Sequence, residues 1–178
     1  MKDVKALIQD ARLPETTVEV CLQADLQAEF ESLQRQLEEA RRRPTDSLAG
    51  NGSRDIAERI EALRCQMADS IIEFRIRAMP RKQWRDLVAA HQPRKDGDDV
   101  HEQDRFLGVN TETFFDALIR ASVVDPELDD DDWTLLLEEK LTDRQFDAIA
   151  DAAWGLNRRD VDVPFSPAAS KILNSEPG

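Results

Sequence analysis

The side chains that could do chemistry are few, and their spacing does not assemble a reactive site. His91 and His101 are the only histidines. His101 lies among Asp98, Asp99, Glu102 and Asp104, donors of the kind that hold a cation. Metal selectivity needs ligands held rigidly, and Pro93 to Gly108 reads as a polar, acidic, mobile loop, so no metal is assigned. The run Asp125-Pro126-Glu127-Leu128-Asp129-Asp130-Asp131-Asp132 invites comparison with a calcium loop. Such a loop needs Gly at its sixth position and Glu at its twelfth, where counting from Asp125 gives Asp130 and Leu136. Acids gathered ahead of an apolar helix are better explained as its N-terminal cap. Ser122, Ser166 and Ser170 have no nucleophile-elbow context, and neither Cys21 nor Cys65 has an activating histidine nearby in sequence. With six glycines and no glycine-rich phosphate loop, no nucleotide cofactor is expected either. The chain is read as a non-enzyme, with no catalytic residue, no metal and no cofactor.

Charge separates the partner classes further. The chain of 178 residues carries a formal charge of −13. Asp96 to Asp151 alone holds 18 acidic against 4 basic residues, so the remainder is close to neutral. An acidic face of that density repels phosphate backbones, which argues against nucleic acid and anionic membrane and for protein partners. No apolar run approaches the ~20 residues needed to span a bilayer. Met1-Lys2-Asp3-Val4 does not open a secretion signal. Two cysteines are too few for a disulfide scaffold, so Cys21 and Cys65 are read as reduced thiols of a cytoplasmic protein, with a long-range bridge left open.

The elements that would position these groups read as helices. Val4, Leu7, Ile8 and Ala11 share a helical face, ended by Pro14. Thr16 to Leu22 alternates, with Val18, Val20 and Leu22 on one side, but is too short to make a sheet alone. Leu22, Leu26, Phe30, Leu33, Leu37 and Ala40 follow helical spacing, as do Ile56, Ile60, Leu63, Met67, Ile71 and Phe74. Pro44 to Ser53 is a loop between them, so an antiparallel helical hairpin is predicted. Pro80 starts a helix carrying Trp84, Leu87, Val88 and His91. Phe114, Phe115, Leu118 and Ile119 mark another, and Trp133, Leu136, Leu137 and Leu141 a third. Thr142-Asp143-Arg144-Gln145 matches a capping box ahead of Phe146, Ile149, Ala150, Ala153 and Trp154. Val161 to Pro164 reads as extended, and Ser166-Pro167 opens a last short helix. The expected fold is all-α, an N-terminal segment with a long hairpin over 1–78 followed by an acidic helical bundle over 79–178. Similar helical seams serve packing within one chain or between chains, so a homo-oligomer stays open.

Several of these residues also carry a resemblance. Trp84-Arg85-Asp86-Leu87 with His91-Gln92-Pro93, then Gly108-Val109-Asn110-Thr111-Glu112-Thr113-Phe114 and Trp133, form a dispersed pattern. It continues through Phe146-Asp147-Ala148-Ile149, Ala153-Trp154-Gly155-Leu156-Asn157 and Val163-Pro164-Phe165-Ser166. Over roughly 70–175 this resembles the tail assembly chaperones of long-tailed phages infecting actinobacteria. The resemblance implies a helical protein of the infected host's cytoplasm that binds the tape measure protein, keeps it soluble and recruits tail tube subunits. It also implies a second, frameshift-extended product in many members. Grooves between amphipathic helices accept apolar helical segments. Trp133, Leu136, Leu137, Phe146, Trp154 and Phe165 are the candidate contacts, with core packing as the alternative role of each. The competing readings are a head–tail or tail component retained in the virion, and an acidic helical adaptor.

Overall fold

The computed structural model of the chain describes residues 3–42 and 52–159, apart from Ala24 and Asp98. Phe165, the extended segment expected over 161–164, the last helix expected from Ser166 and most of the loop from Pro44 to Ser53 lie outside those residues. The all-α expectation is corrected. Helices are joined by a three-stranded antiparallel sheet of β1 (Glu15–Cys21), β2 (Ile71–Arg77) and β5 (Val123–Asp125), in the order β1-β2-β5.

The sheet exists because of residues read as the end of a helix. Ile71 and Phe74 do continue the helical spacing of the preceding segment. Yet Ile72, Phe74 and Ile76 also alternate with Glu73, Arg75 and Arg77, and that period of two wins. The alternating segment Thr16 to Leu22 thereby finds its neighbour. Val18 lies opposite Phe74 and Val20 opposite Ile72, one apolar face against another. Glu15 lies opposite Arg77 on the solvent face, where the two form an ion pair. β5 adds along the other side of β2, with a register shift between Arg75 and Ile76.

Between β1 and β2 the chain makes the expected helical hairpin, α2 (Leu26–Arg42) and α3 (Ser53–Asp69). Seventeen residues make each arm about 25 Å long. Leu33, Ala40 and Leu63 are its buried residues. Ahead of β1, α1 (Val4–Asp10) begins at an Asp3 cap, whose carboxylate accepts from Lys5 N at 3.0 Å.

After β2 come α4 (Arg81–Ala90), a two-residue ribbon of β3 (Lys95–Asp96) and β4 (Asp99–Val100), and α5 (Glu102–Leu107). Pro93 to Gly108, expected to be a mobile loop, is thus built from a ribbon and a helix. It stops at Gly108, whose φ of +74° suits a residue without Cβ. Helix α6 (Phe114–Ser122) leads into β5. Helix α7 (Asp130–Leu135) starts on the expected carboxylate cap, with Asp129 Oδ1 accepting from Asp132 N at 2.8 Å. It widens into a π-helical turn, Leu136–Lys140, in which Leu141 N donates to Leu136 O at 3.1 Å.

Helix α8 (Asp143–Arg158) opens on the predicted capping box. Gln145 N donates to Thr142 Oγ1 at 3.3 Å and Thr142 N donates to Gln145 Oε1 at 2.9 Å.

One core joins the sheet to the helices that follow β2, while α1 and the hairpin's Leu33, Ala40 and Leu63 lie outside it. Phe74 and Ile76 from the sheet, Phe114, Leu118 and Ile119 from α6, and Ile149 and Ala153 from α8 are fully buried within it. Each large apolar side chain so buried contributes roughly 1.5–3 kcal/mol. That core runs across the division expected between 78 and 79, because β1 and β2 lie on one side of it and α6 and α8 on the other. Among the described residues no helix is long and apolar enough to cross a membrane.

Candidate protein-binding site

Trp84 and Trp154, seventy residues apart in sequence, meet edge to face at 5.5 Å between ring centroids. Phe114 lies at 5.8 Å from Trp84 and 5.7 Å from Trp154, nearly perpendicular to both. Phe115 and His91 complete the group at 5.4 and 6.0 Å from Phe114. Such tilted aromatic pairs add about 0.5–1.5 kcal/mol each beyond the area they bury. The sequence allows this because Trp84, Phe114 and Trp154 all lie on the apolar faces of α4, α6 and α8. Arg158 then covers the outer face of Trp154, its Cζ 5.0 Å from the ring.

The polar residues of the same stretches hold the loops onto that cluster. His91 Nδ1 and Thr113 Oγ1 are 2.8 Å apart, and Asn110 N donates to His91 O at 2.9 Å. Asn157 Oδ1 accepts from Met79 N at 2.8 Å, which ties the end of α8 to the exit of β2.

The strongest polar feature is a clasp that sequence reading missed. Asp104 is fully buried. Its carboxylate accepts from Arg94 N, Nε and Nη2 at 2.8, 2.9 and 2.7 Å, and from Thr111 N and Oγ1 at 3.1 and 2.8 Å. Glu112 pairs with the guanidinium from outside. Five donors, two of them carrying charge, hold the Asp104 carboxyl well below the usual carboxylate range, with the Arg94 side chain as the largest cause. The Arg94 guanidinium is shifted upward, chiefly by its bonds to Asp104. Asp104, weighed above as a cation ligand beside His101, is committed to this clasp. Among the described residues no group of three or more His, Cys, Asp or Glu side chains is arranged to hold a metal ion.

The expected contact residues divide. Trp133, Leu136 and Leu137 are buried, at 6%, 7% and 9% exposure, with Trp133 tilted against Phe74 at 6.4 Å. Leu136 and Leu137 are both buried within the π-helical turn. These three cannot meet a partner without opening the core. Phe146 and Trp154 are half-buried and pack on the core while keeping part of their surface. Three of the five described candidates thus belong to the core, and two keep part of their surface exposed.

Exposed apolar surface lies elsewhere. Val4, Leu7 and Ile8 on α1 are 64%, 55% and 70% exposed, and Phe106 on α5 is 93% exposed. The helical pattern of α1 was legible, but a sequence pattern does not say whether a face will be covered. A hollow of about 400 Å³ between β1 and the base of the hairpin is lined by Cys21, Phe30, Met67 and Ile71. Cys21 and Cys65 are both free thiols.

Compared with known proteins, the chain matches no family model, no curated protein and no solved structure.

Proposed function

We propose that this chain is a phage tail assembly chaperone, a non-enzymatic protein that binds the tape measure protein and promotes assembly of the tail tube in the host cytoplasm. The observation that supports the reading best is physical. Trp84, His91, Phe114 and Trp154, four of the dispersed residues behind the resemblance, share one aromatic cluster. Asn110 is bonded to His91 and Asn157 to Met79, whereas Trp133 packs on Phe74. Scattered residues that cooperate in one cluster are what a family pattern leaves when it records a shared scaffold. The surface is compatible with the role. Dense acidic charge opposes self-association, while exposed apolar side chains on α1 and α5 offer contact to a hydrophobic client.

A virion component is the second reading, favoured by the helical hairpin, whose exposed arms suit an oligomerisation element. Co-expression separates the two. The tagged chain is produced with the proteins encoded beside it, and the soluble fraction is analysed by mass spectrometry. The chaperone reading expects a long helical tape-measure-like protein that is soluble only when this chain is present. Recovery of the chain in purified particles, or with itself alone, overturns that reading and favours a structural component.

A further inference from the structure

β1 is an edge of the sheet. β2 flanks one side, and no strand among the described residues flanks the other. The phase of the β1–β2 ladder decides which backbone groups the edge offers. Ala78 N donates to Pro14 O at 3.0 Å and Leu22 N donates to Ser70 O at 3.1 Å, so the even-numbered residues of β1 bond to β2. The N–H and C=O groups of Glu15, Thr17, Glu19 and Cys21 therefore point away from the sheet. Gln145 Nε2 reaches over from α8 to Cys21 O at 2.8 Å, which closes that end. Glu15, Thr17 and Glu19 remain as a row of outward donors and acceptors. β1 has no proline, lysine or bulge to blunt it, and its glutamates are its one protective device.

The two faces at this edge differ. On the inner face Thr16 and Val18 are only half-buried, whereas Ile76 and Phe74 opposite them are fully buried. Apolar surface thus continues to the edge, where Val18 is only partly covered. On the outer face Glu19 lies directly opposite Glu73, both exposed, and neither makes an ion pair among the described residues. Like charges so placed are destabilising, and a cation beside them would relieve the repulsion. The same charges disfavour a second copy of this chain. Antiparallel self-pairing centred on Thr17 sets Glu15 against Glu19 of the other copy, and pairing centred on Glu19 sets two glutamates face to face. The register between those loses its outer pair, Glu15 with Cys21, because Gln145 already holds the Cys21 carbonyl.

We propose that the β1 edge accepts an extended segment of another protein in which apolar residues alternate with lysine or arginine. The apolar residues lie beside Val18, and a basic one lies beside Glu19, since Glu15 is already paired with Arg77. Backbone hydrogen bonds to Glu15, Thr17 and Glu19 supply affinity, and the alternation supplies selectivity. The proposal stands apart from the tail-assembly reading and does not need it.

The test uses the full chain with two synthetic peptides of equal length, one alternating valine with lysine and one alternating valine with glutamate. Binding is followed by fluorescence anisotropy and by amide hydrogen exchange. The valine–lysine peptide binds and slows exchange at Thr17 and Glu19, while the amides of Val18 and Val20, already bonded to β2, change little. Replacing the edge glutamate that has no ion pair, E19K, weakens that binding about fivefold and lets the valine–glutamate peptide bind instead. T17P removes an outward donor without touching the ladder, so it keeps the fold and loses the peptide. Equal binding of both peptides, or slowed exchange away from Glu15–Glu19, overturns the proposal. Concentration-dependent pairing of the chain with itself through β1 overturns it as well. Should T17P unfold, the reversal of peptide preference by E19K still decides.

Discussion

The hairpin of α2 and α3 and the pair α6 and α8 show the same amphipathic spacing in sequence, yet they bury it very differently. The two seventeen-residue hairpin arms together bury Leu33, Ala40 and Leu63. The shorter α6 alone buries Phe114, Leu118, Ile119 and Ser122, and α8 adds Ile149, Ala150, Ala153 and Gly155. A two-helix seam covers each apolar stripe from one direction, whereas α6 and α8 meet a sheet and each other. Periodicity therefore identifies a face that wants cover, and the number of layers that arrive decides how much stability it yields.

The comparison fails most visibly if the α6–α8 side is not the stable one. Phe114→Ala removes a side chain with no exposed surface and four aromatic neighbours, so it costs about 3–5 kcal/mol by urea denaturation. That is a large part of the ~5–15 kcal/mol that separates folded from unfolded domains. Phe114→Ala that unfolds no more easily than wild type would place the core elsewhere.

The clasp between Arg94, Asp104 and Thr111 gives the next effect, and a pH dependence with a definite sign. The Asp104 carboxyl is depressed when folded, so its stabilisation is fully present above its ordinary value of 3.8. It is lost as pH falls below that value towards the folded one. Asp104→Asn removes the charge and flattens this acid limb. Hydrogen exchange at the Arg94 and Thr111 amides, which both donate to Asp104, accelerates in the variant.

Leu33→Ala costs less, about 2 kcal/mol, because among the described residues the hairpin around it buries only two other side chains, Ala40 and Leu63. Its effect stays local, with faster exchange in α2 and α3 and unchanged exchange in β2 and α8. Arg59→Ala breaks an exposed ion pair with Glu29 across the same hairpin and changes stability by less than about 0.5 kcal/mol.

Much of this was legible before any coordinates. Thr142 and Gln145 fix the start of α8, Asp129 caps α7, and Trp84, Leu87 and Val88 give the inward face of α4, each because a local rule acts alone. The sheet was harder to see, since Ile71 and Phe74 satisfy a helical period and a strand period at once. The alternation of charged and apolar residues from Ile72 to Arg77 was the readable clue. Arg94, Asp104 and Thr111 left no comparable trace, because a polar clasp made across a loop has no period. Trp133, Leu136 and Leu137 were legible as apolar, but not as members of the core in place of a groove. That depended on Phe74, which arrives from a distant strand and packs against Trp133.

The account separates a buried aromatic scaffold from the surface that receives a client, and one footprint tests that separation directly. On the proposed tail-assembly reading, the chain is co-expressed with a tape measure protein, and amide exchange is compared between the free chain and any complex recovered. The account predicts slowed exchange confined to exposed elements, with the amides of Trp133, Leu136, Leu137 and Phe114 unchanged. A footprint centred on Trp133, Leu136 and Leu137 would contradict it, because the core would then have to open to bind.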